Sequence, residues 1–135
     1  MSKPKLLKKD GTPDRARQKR YDMIVSKLTP LAGRSFPCKA LGGVDVHIYD
    51  ISIEEIAFHA SKSAQSTSAA LDVVHQLAIS EYPHIYARKE GTQRTKFHFQ
   101  ALFVMQGVYN GKRTKITVGA RANGKIIQYC LTSNE

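Results

Sequence analysis

Five residues in the C-terminal third of the chain are spaced so that they should lie on one face of neighbouring strands. They are a histidine, two basic residues and two amides, namely His98, Lys96, Arg121, Gln100 and Gln128. Cleavage of RNA without a metal requires a group that removes a proton from the 2′-hydroxyl, cations that neutralise the phosphorane, and a proton donor for the leaving 5′-oxygen. We expect His98 to act as acid or base, and Arg121 and Lys96 to stabilise the transition state.

A second set of chemically useful residues is predicted on the same face and on a nearby helix. Lys115, Thr117 and Thr132 follow along the strands, and His59 and Lys62 stand three residues apart, on one side of a helix that could close the site from above. The candidate catalytic residues are His98, Lys96, Arg121, Lys115, Thr132 and His59. The candidate RNA-binding residues are Gln100, Gln128, Thr117, Arg113, Arg94, Lys62, Arg88 and Lys89. A solvated outer face and a surface histidine beside Glu55 are the competing interpretations.

Three consecutive antiparallel strands are expected to position these groups. The predicted strands are Thr95–Tyr109, Lys112–Arg121 and Lys125–Ser133, joined at Asn110-Gly111 and Asn123-Gly124. Asn-Gly favours a two-residue type I′ turn, because both central residues of that turn need a positive φ. Two such turns in succession predict a β-meander.

The length of the two turns fixes the predicted register of the meander. The predicted pairs are Tyr109–Lys112, Met105–Ile116, Phe103–Val118, Gln100–Arg121, Ile116–Leu131, Val118–Tyr129 and Ala120–Ile127. The apolar residues then share one face, which includes Phe97, Phe99, Ile127 and Tyr129. A bulge in the first strand near Gly107 would reverse the facing of the residues beyond it.

The residues before the meander predict helices and a short hairpin. Thr12 is expected to cap a helix from about Pro13 to Leu28, and Ser52 a helix over about 53–62. A further helix runs from Ser66 or Thr67 to about Ser80, where Tyr82-Pro83 stops it, and 86–94 is expected to be a polar loop. A strand at 44–49 is expected to pair with 38–41. The predicted fold is α+β, with helices packed on one face of an antiparallel β-meander and the other face open and basic.

Charge is unevenly distributed along the chain of 135 residues, whose net charge is +10. Residues 1–34 hold ten Lys/Arg and three Asp/Glu, residues 45–85 hold one and six, and residues 86–125 hold nine and one. A positive charge of this size favours phosphate backbones as partners. We predict a mobile basic arm over residues 1–12 and a single domain over 13–135.

Other chemistries find little support in the sequence. Cys38 and Cys130 lack metal-ligand spacing and are expected to be free thiols, and no cofactor or metal is expected. His47 and His75 are expected to be structural, and His84 to be exposed in a loop. With no apolar run long enough for a membrane span and no signal peptide, the chain is expected to be cytoplasmic, although a dedicated secretion route would leave no mark in the sequence.

The order of helices followed by a terminal meander resembles the barnase-, EndoU-, colicin D- and RelE-like (BECR-fold) ribonuclease toxins. The likeness is closest to domains of polyvalent proteins from phages and mobile elements, and it covers about residues 44–135. It rests on the hairpin "NGKRTKITVGAR" and the last strand "IIQYCLTS". The resemblance implies metal-independent endoribonuclease activity. It also implies catalytic groups at Lys96, His98, Lys115, Arg121 and Thr132 on the strands, and at His59 and Lys62 on a helix.

Three functional hypotheses follow. The first is an endoribonuclease toxin that acts on tRNA, mRNA or ribosome-bound RNA and is neutralised by an acidic antitoxin or immunity protein. The second is a non-catalytic RNA- or DNA-binding protein of a phage or mobile element. The third is an interaction module whose charge recognises an acidic protein. No membrane partner is expected, and the oligomeric state stays open.

Overall fold

The computed structural model describes residues 4–87 and 97–133, which form an α+β fold as predicted. The helices are α1 Arg15–Leu28, α2 Asp50–Ala60, α3 Ala64–Leu71 and α4 Val73–Ile79. The strands are β1 Arg34–Cys38, β2 Val44–Ile48, β3 Glu81–Ala87, β4 Phe99–Tyr109, β5 Lys112–Arg121 and β6 Ile126–Ser133. They form one sheet in the order β1-β2-β6-β5-β4-β3, in which only β2 and β6 are parallel. No helix among the described residues is long and apolar enough to cross a membrane.

The two turns of the meander differ in length. Asn110 and Gly111 both have positive φ, 54° and 77°, and Tyr109 pairs with Lys112, which confirms the predicted two-residue turn. At the second turn the Arg121 N–H donates to the Lys125 carbonyl at 3.0 Å, and Gly124 has a φ of 86°. The second loop therefore has three residues and ends on a left-handed glycine, one residue more than predicted.

Two bulges interrupt the predicted register. The pairs Met105–Ile116, Phe103–Val118 and Ile116–Leu131 are confirmed. The other three predicted pairs are wrong, because Arg121 pairs with Phe99, Val118 with Gln128 and Ala120 with Ile126. The extra residue Gln100 shifts the pairing of β4 beyond it by one place. At the second hairpin the three-residue loop shifts the pairs of Ala120 and Val118, and the extra residue Tyr129 then restores the predicted pair Ile116–Leu131. The register is continuous through Gly107, where a bulge was considered.

The main core lies between the sheet and the helices. Val46, Met105, Ile116, Val118 and Leu131 are buried on the sheet face that the helices cover, which we call the helix face. The helices contribute buried apolar residues to the same cluster: Ile24 and Leu28 from α1, Ile53, Ile56 and Ala57 from α2, Ala69 and Ala70 from α3, and Val73 and Leu77 from α4. This arrangement confirms that helices pack on one face of the sheet.

The helices begin at other residues than predicted, because the predicted capping side chains form other hydrogen bonds. Asp14 caps α1 by accepting a hydrogen bond from the Arg17 N–H at 3.0 Å, whereas Thr12 donates to Asp10. Ser52 lies inside α2, where its hydroxyl accepts from the Tyr49 N–H at 3.2 Å. The single helix predicted up to Ser80 is two helices, α3 and α4, with the break at Asp72.

The edges of the sheet hold two strands that the sequence placed wrongly. β3 occupies residues predicted as a helix stop and a loop, and it includes Pro83 and His84. Proline is tolerated on an edge strand, because its missing N–H can face away from the sheet. β1 spans Arg34–Cys38 and pairs with β2, whereas Lys39–Leu41, expected to be part of that strand, forms a 3₁₀ turn.

The N-terminal segment is anchored to the helical layer. Leu6 is 5% exposed and belongs to the main core, and its backbone N–H donates to the Gln18 side chain at 3.1 Å. The Asp14 N–H donates to the Leu6 carbonyl at 2.9 Å. The stretch around Leu6, which lies within the predicted mobile arm, therefore places an apolar side chain in the core.

Leu6→Ala is expected to lower the free energy of unfolding by about 2 kcal/mol, the lower end of the usual cost for a buried leucine. Leu7→Ala is the matched control, since the neighbouring Leu7 is 52% exposed, and it should cost less than about 0.5 kcal/mol. Urea denaturation of both variants measures the difference. Equal stabilities would show that the segment adds no packing.

Candidate active site on the open sheet face

The face of the sheet opposite the helices carries the predicted chemistry. Along β5, Thr114, Ile116 and Val118 are buried on the helix face, so the alternating residues Lys115 and Thr117 lie on the other side, which we call the open face. Gly119 and Arg121 continue that alternation. The open face therefore has a Lys115 end and an Arg121 end.

At the Arg121 end, the predicted group of His98 and Arg121 is not assembled. Arg121 Nε donates to the Phe97 carbonyl at 2.9 Å, and its guanidinium lies 5.8 Å from the centre of the Tyr49 ring. His98 is exposed, lies just before β4 and has a φ of 55°. Among the described residues, the side-chain contacts of Arg121 are with the Phe97 carbonyl and the Tyr49 ring, and none is with His98. Arg121 thus holds the start of β4, and Lys96 lies outside the described residues.

A second apolar cluster covers the open face beside Arg121. Phe97, Phe99 and Ile127 are buried there, with Tyr129 packed against them. The Phe99 ring lies over Gly119, where an added Cβ would stand 2.4 Å from ring carbons. These aromatic residues were predicted on the helix face with Phe103, and that prediction is wrong because the bulge at Gln100 turns Phe99 to the other side.

Gln128 has a structural role that removes it from the predicted RNA-binding set. Its side chain is fully buried, and Nε2 donates to the carbonyls of Cys130 at 2.9 Å and Thr117 at 3.3 Å. A bulge breaks the ladder and leaves carbonyls without a strand partner. The Gln128 amide supplies the missing donor at the Tyr129 bulge, and so it is not available to RNA.

His59 lies against a buried carboxylate. Its Nε2 is 3.3 Å from Oε2 of Glu55, one turn earlier in α2, and the Glu55 side chain is only 5% exposed. The His59 side chain is 29% exposed, and its ring packs edge-on against Phe58 with centroids 5.3 Å apart. The contact lacks hydrogen-bond geometry, and it is an ion pair when the imidazole is protonated. A carboxylate at one ring nitrogen can pair with the imidazolium and leaves the other nitrogen to exchange a proton.

The path of β6 explains why a histidine on a helix reaches the open face. β2 pairs with β6 only at Val46–Ile126 and His47–Ile127, and beyond that point α2 and α3 pack along β6. Ser66 of α3 exchanges two hydrogen bonds, each 2.9 Å, with the backbone of Ser133, as a strand neighbour would. α2 therefore flanks β6 beside Tyr129.

Tyr129 connects His59 to the cluster on the open face. The His59 and Tyr129 ring centroids are 6.1 Å apart, and the Tyr129 ring meets those of Phe97 and Phe99 edge-on at 5.1 and 5.8 Å. As the extra residue of a bulge, Tyr129 is placed by the irregularity of β6. The imidazole consequently stands at the margin of the open face.

The pKa of the Cys130 thiol depends on burial and on the charges of Glu55 and Lys115. Burial raises the pKa of its thiol, which a hydrogen bond from Thr117 and the charge of Lys115 partly offset, and the charge of Glu55 raises it further. Glu55 and Lys115 therefore both act on one thiol from different elements. A raised pKa keeps the thiol protonated at neutral pH, so Cys130 is a poor nucleophile.

Lys115 and Thr132 are neighbours across β5 and β6, as predicted for the second catalytic set. The Lys115 end thus holds Lys115, Thr132 and the buried Thr117. His59 lies beside Tyr129, which packs on the aromatic cluster towards the Arg121 end. Lys62 is exposed, and its ammonium lies 5.7 Å from the centre of the Phe58 ring. Arg113 is exposed on β5, and Gln100 is exposed at the bulge of β4. Arg88, Lys89 and Arg94 lie outside the described residues.

Sequence reasoning missed a groove between β3 and the Lys115 end. It has a volume of about 460 Å³ and is lined by Tyr82, His84, Tyr86, Arg113, Lys115 and Thr132, among others. His84, expected to be exposed in a loop, is exposed within β3. The alternation of aromatic rings at Tyr82, His84 and Tyr86 is typical of a strand. Pro83 lies between them, and a proline within such a run argues against a central strand.

The remaining histidines and the possible metal ligands add no further site. His47 stacks on Tyr49 with centroids 6.1 Å apart, and His75 contacts Asp72 at 3.0 Å on the surface of α4. Within the part of the chain that the structure describes, no three His, Cys, Asp or Glu residues are placed to hold a metal ion.

Comparison with known proteins gives no match to any family model, curated protein or solved structure.

Proposed function

We propose that this protein is a metal-independent endoribonuclease whose acid–base group is His59. The observation that carries the proposal is the placement of His59 against the buried carboxylate of Glu55, at the margin of the open face. A histidine oriented by a carboxylate is a frequent arrangement for moving protons in enzymes. Lys115 and Thr132 supply a cation and a hydroxyl on the adjoining strands.

In the proposed reaction, the 2′-oxygen of RNA attacks the adjacent phosphorus. The nitrogen of His59 that faces away from Glu55 accepts the 2′-hydroxyl proton, and the resulting imidazolium is paired with the Glu55 carboxylate. The bond from phosphorus to the 5′-oxygen breaks, and the leaving oxygen takes a proton from the Lys115 ammonium. Lys115 also offsets the negative charge of the phosphorane, which is greatest in the transition state. The products are a 2′,3′-cyclic phosphate and a 5′-hydroxyl end.

The proposal moves the catalytic centre away from the residues first expected to form it. Arg121 already donates to the Phe97 carbonyl and is half-buried, so it is less suited to bind a phosphate than the exposed Lys115. Kinship with BECR-fold toxins, an RNA target among tRNA, mRNA and ribosome-bound RNA, and an acidic inhibitor all belong to this proposal. They follow from the resemblance and the net charge.

A second candidate function is nucleic-acid binding without cleavage. It is favoured by four exposed cations of the meander, Lys112, Arg113, Lys115 and Lys125. None of them forms an ion pair with a carboxylate among the residues that the structure describes. Binding through such cations releases counterions from the phosphates, and affinity should fall by orders of magnitude between low and moderate salt. Salt dependence alone is shared by both candidates, so cleavage decides between them.

Incubation of the purified protein with total tRNA and with mRNA, in the presence of EDTA, is expected to give cleaved RNA with 2′,3′-cyclic phosphate ends. The 2′-hydroxyl is the nucleophile in the proposed reaction, so the same sequence made as DNA should stay intact. Loss of cleavage in EDTA would contradict the metal-independent mechanism. Intact RNA under all conditions would favour the binding protein.

A further inference from the structure

The groove beside β3 has a composition that the proposed cleavage does not use. Tyr82 and Tyr86 are 72% and 50% exposed, which is unusual for large aromatic side chains. His84 lies between them, with its ring centroid 4.6 Å from that of Tyr86. The three rings therefore form a row along one side of the edge strand.

The opposite wall of the groove is positively charged. Arg113 and Lys115 of β5 line it, together with Gln106 of β4 and Thr132 of β6. Gln106 pairs with Lys115, and Lys115 pairs with Thr132, so three neighbouring strands present polar side chains side by side. The groove thus combines aromatic faces on one wall with cations and hydrogen-bonding groups on the other.

We propose that this groove binds a single strand of nucleic acid, with unpaired bases stacked on Tyr82 and Tyr86 and phosphates held by Arg113 and Lys115. Bases stack on aromatic side chains regardless of sequence, and a basic groove follows the backbone of the strand. A volume of about 460 Å³ falls in the range of small-ligand sites, roughly 300–1,000 Å³. A base paired in a duplex hides its face, so the groove should discriminate against double strands.

The inference rests on the proposed function only in taking RNA as the natural ligand, because Lys115 is shared by the groove and the proposed active site. If it holds, the enzyme would cleave unpaired RNA in preference to duplex RNA. Its test measures binding rather than cleavage. The groove can therefore be shown to bind even where no cleavage is detected, and the two proposals can fail separately.

The test uses fluorescence anisotropy with a labelled single-stranded RNA of about twelve nucleotides, within the usual site size of such grooves, checked on a gel for integrity after titration. Tyr82→Ala/Tyr86→Ala is expected to weaken binding by at least about thirty-fold, since two stacking faces are lost. Ile85→Ala is the matched control, because Ile85 is 63% exposed on the same strand but does not line the groove. It should bind as the wild type does.

The charged wall has its own matched pair. Arg113→Gln should weaken binding and reduce the slope of log Kd against log salt by about 0.7, the value for one contact to a single-stranded phosphate. Lys27→Gln removes the same charge from an exposed residue of α1, which does not line the groove, and should leave the slope close to that of the wild type.

Several results would overturn the proposal. Equal binding by the tyrosine double variant and Ile85→Ala would remove the stacking role, and equal affinity for the duplex form would remove single-strand selection. Polyglutamate that binds as tightly as the oligonucleotide, irrespective of the tyrosines, would make the groove a surface for acidic proteins. A single-stranded DNA of the same sequence identifies the source of the ligand: weaker binding supports RNA, and stronger binding overturns RNA as the natural ligand.

Discussion

His59→Ala is expected to reduce RNA cleavage about 10²- to 10⁴-fold, the range usual for losing a general acid or base. RNA binding should stay within several-fold of the wild type, because the change removes no cation from the open face. The loss follows from the role proposed for His59, whose Nε2 lies 3.3 Å from Oε2 of Glu55. Initial rates on a defined tRNA, with binding measured in parallel, give the two numbers.

His75→Ala is the matched control for this prediction. His75 also contacts a carboxylate, at 3.0 Å from Asp72, but its side chain is 62% exposed on α4. If removing any histidine beside a carboxylate lowered cleavage, both variants would lose activity. The proposed chemistry predicts that only His59→Ala loses it. Full activity of His59→Ala would move the acid–base group elsewhere, and His98→Ala then tests the arrangement first expected at the Arg121 end.

Glu55→Gln separates positioning from proton transfer. The carboxylate is buried, and we expect it to orient the imidazole and to stabilise the imidazolium that forms during the reaction. Cleavage should therefore fall, and the pH dependence of the rate should shift, while a purely structural role of Glu55 would lower the melting temperature and leave the pH profile unchanged. Thermal unfolding of the variant keeps these two outcomes distinct.

The sequence predicts local features of the fold well where they depend on neighbouring residues. Asn110-Gly111 specifies its own turn, because both residues accept a positive φ. Counting from this turn gives the register as far as the extra residue Gln100. Counting from the second turn fails at once, because its loop has three residues, and the extra residue Tyr129 then restores the predicted pairs. A bulge is stabilised by contacts from distant strands, such as the Phe99 ring over Gly119, and no pattern within one strand reveals it.

The candidate site was only partly predictable for a similar reason. The sequence pattern marks Lys115, Thr132 and His59 as chemically useful, but it favours His98 as the acid–base group, two residues from Gln100 on a strand expected to be regular. Whether α2 approaches the open face depends on the short parallel pairing of β2 with β6, which ends after His47–Ile127. Those residues are far apart in the chain, so neither periodicity nor spacing reports their contact.

The bulge at Gln100 can be tested through Phe99→Ala, which is expected to lower the free energy of unfolding by about 3–5 kcal/mol. Phe99 is 2% exposed, and its removal would leave a cavity over Gly119 in the second apolar cluster. Gln100→Ala is the control from the adjacent position. Gln100 is exposed, and truncating it should cost less than about 0.5 kcal/mol. Urea denaturation gives both free energies.

A double-mutant cycle identifies the contact itself. Gly119→Ala alone should cost about 1–3 kcal/mol, because the new methyl group would overlap the Phe99 ring. In the Phe99→Ala background the same methyl group meets no ring, and Gly119→Ala should cost much less or even stabilise the protein by filling part of the cavity. The two effects are therefore expected to be strongly non-additive. Additive effects would separate Phe99 from Gly119, and would place Phe99 on the helix face in the regular register that a strand without a bulge requires.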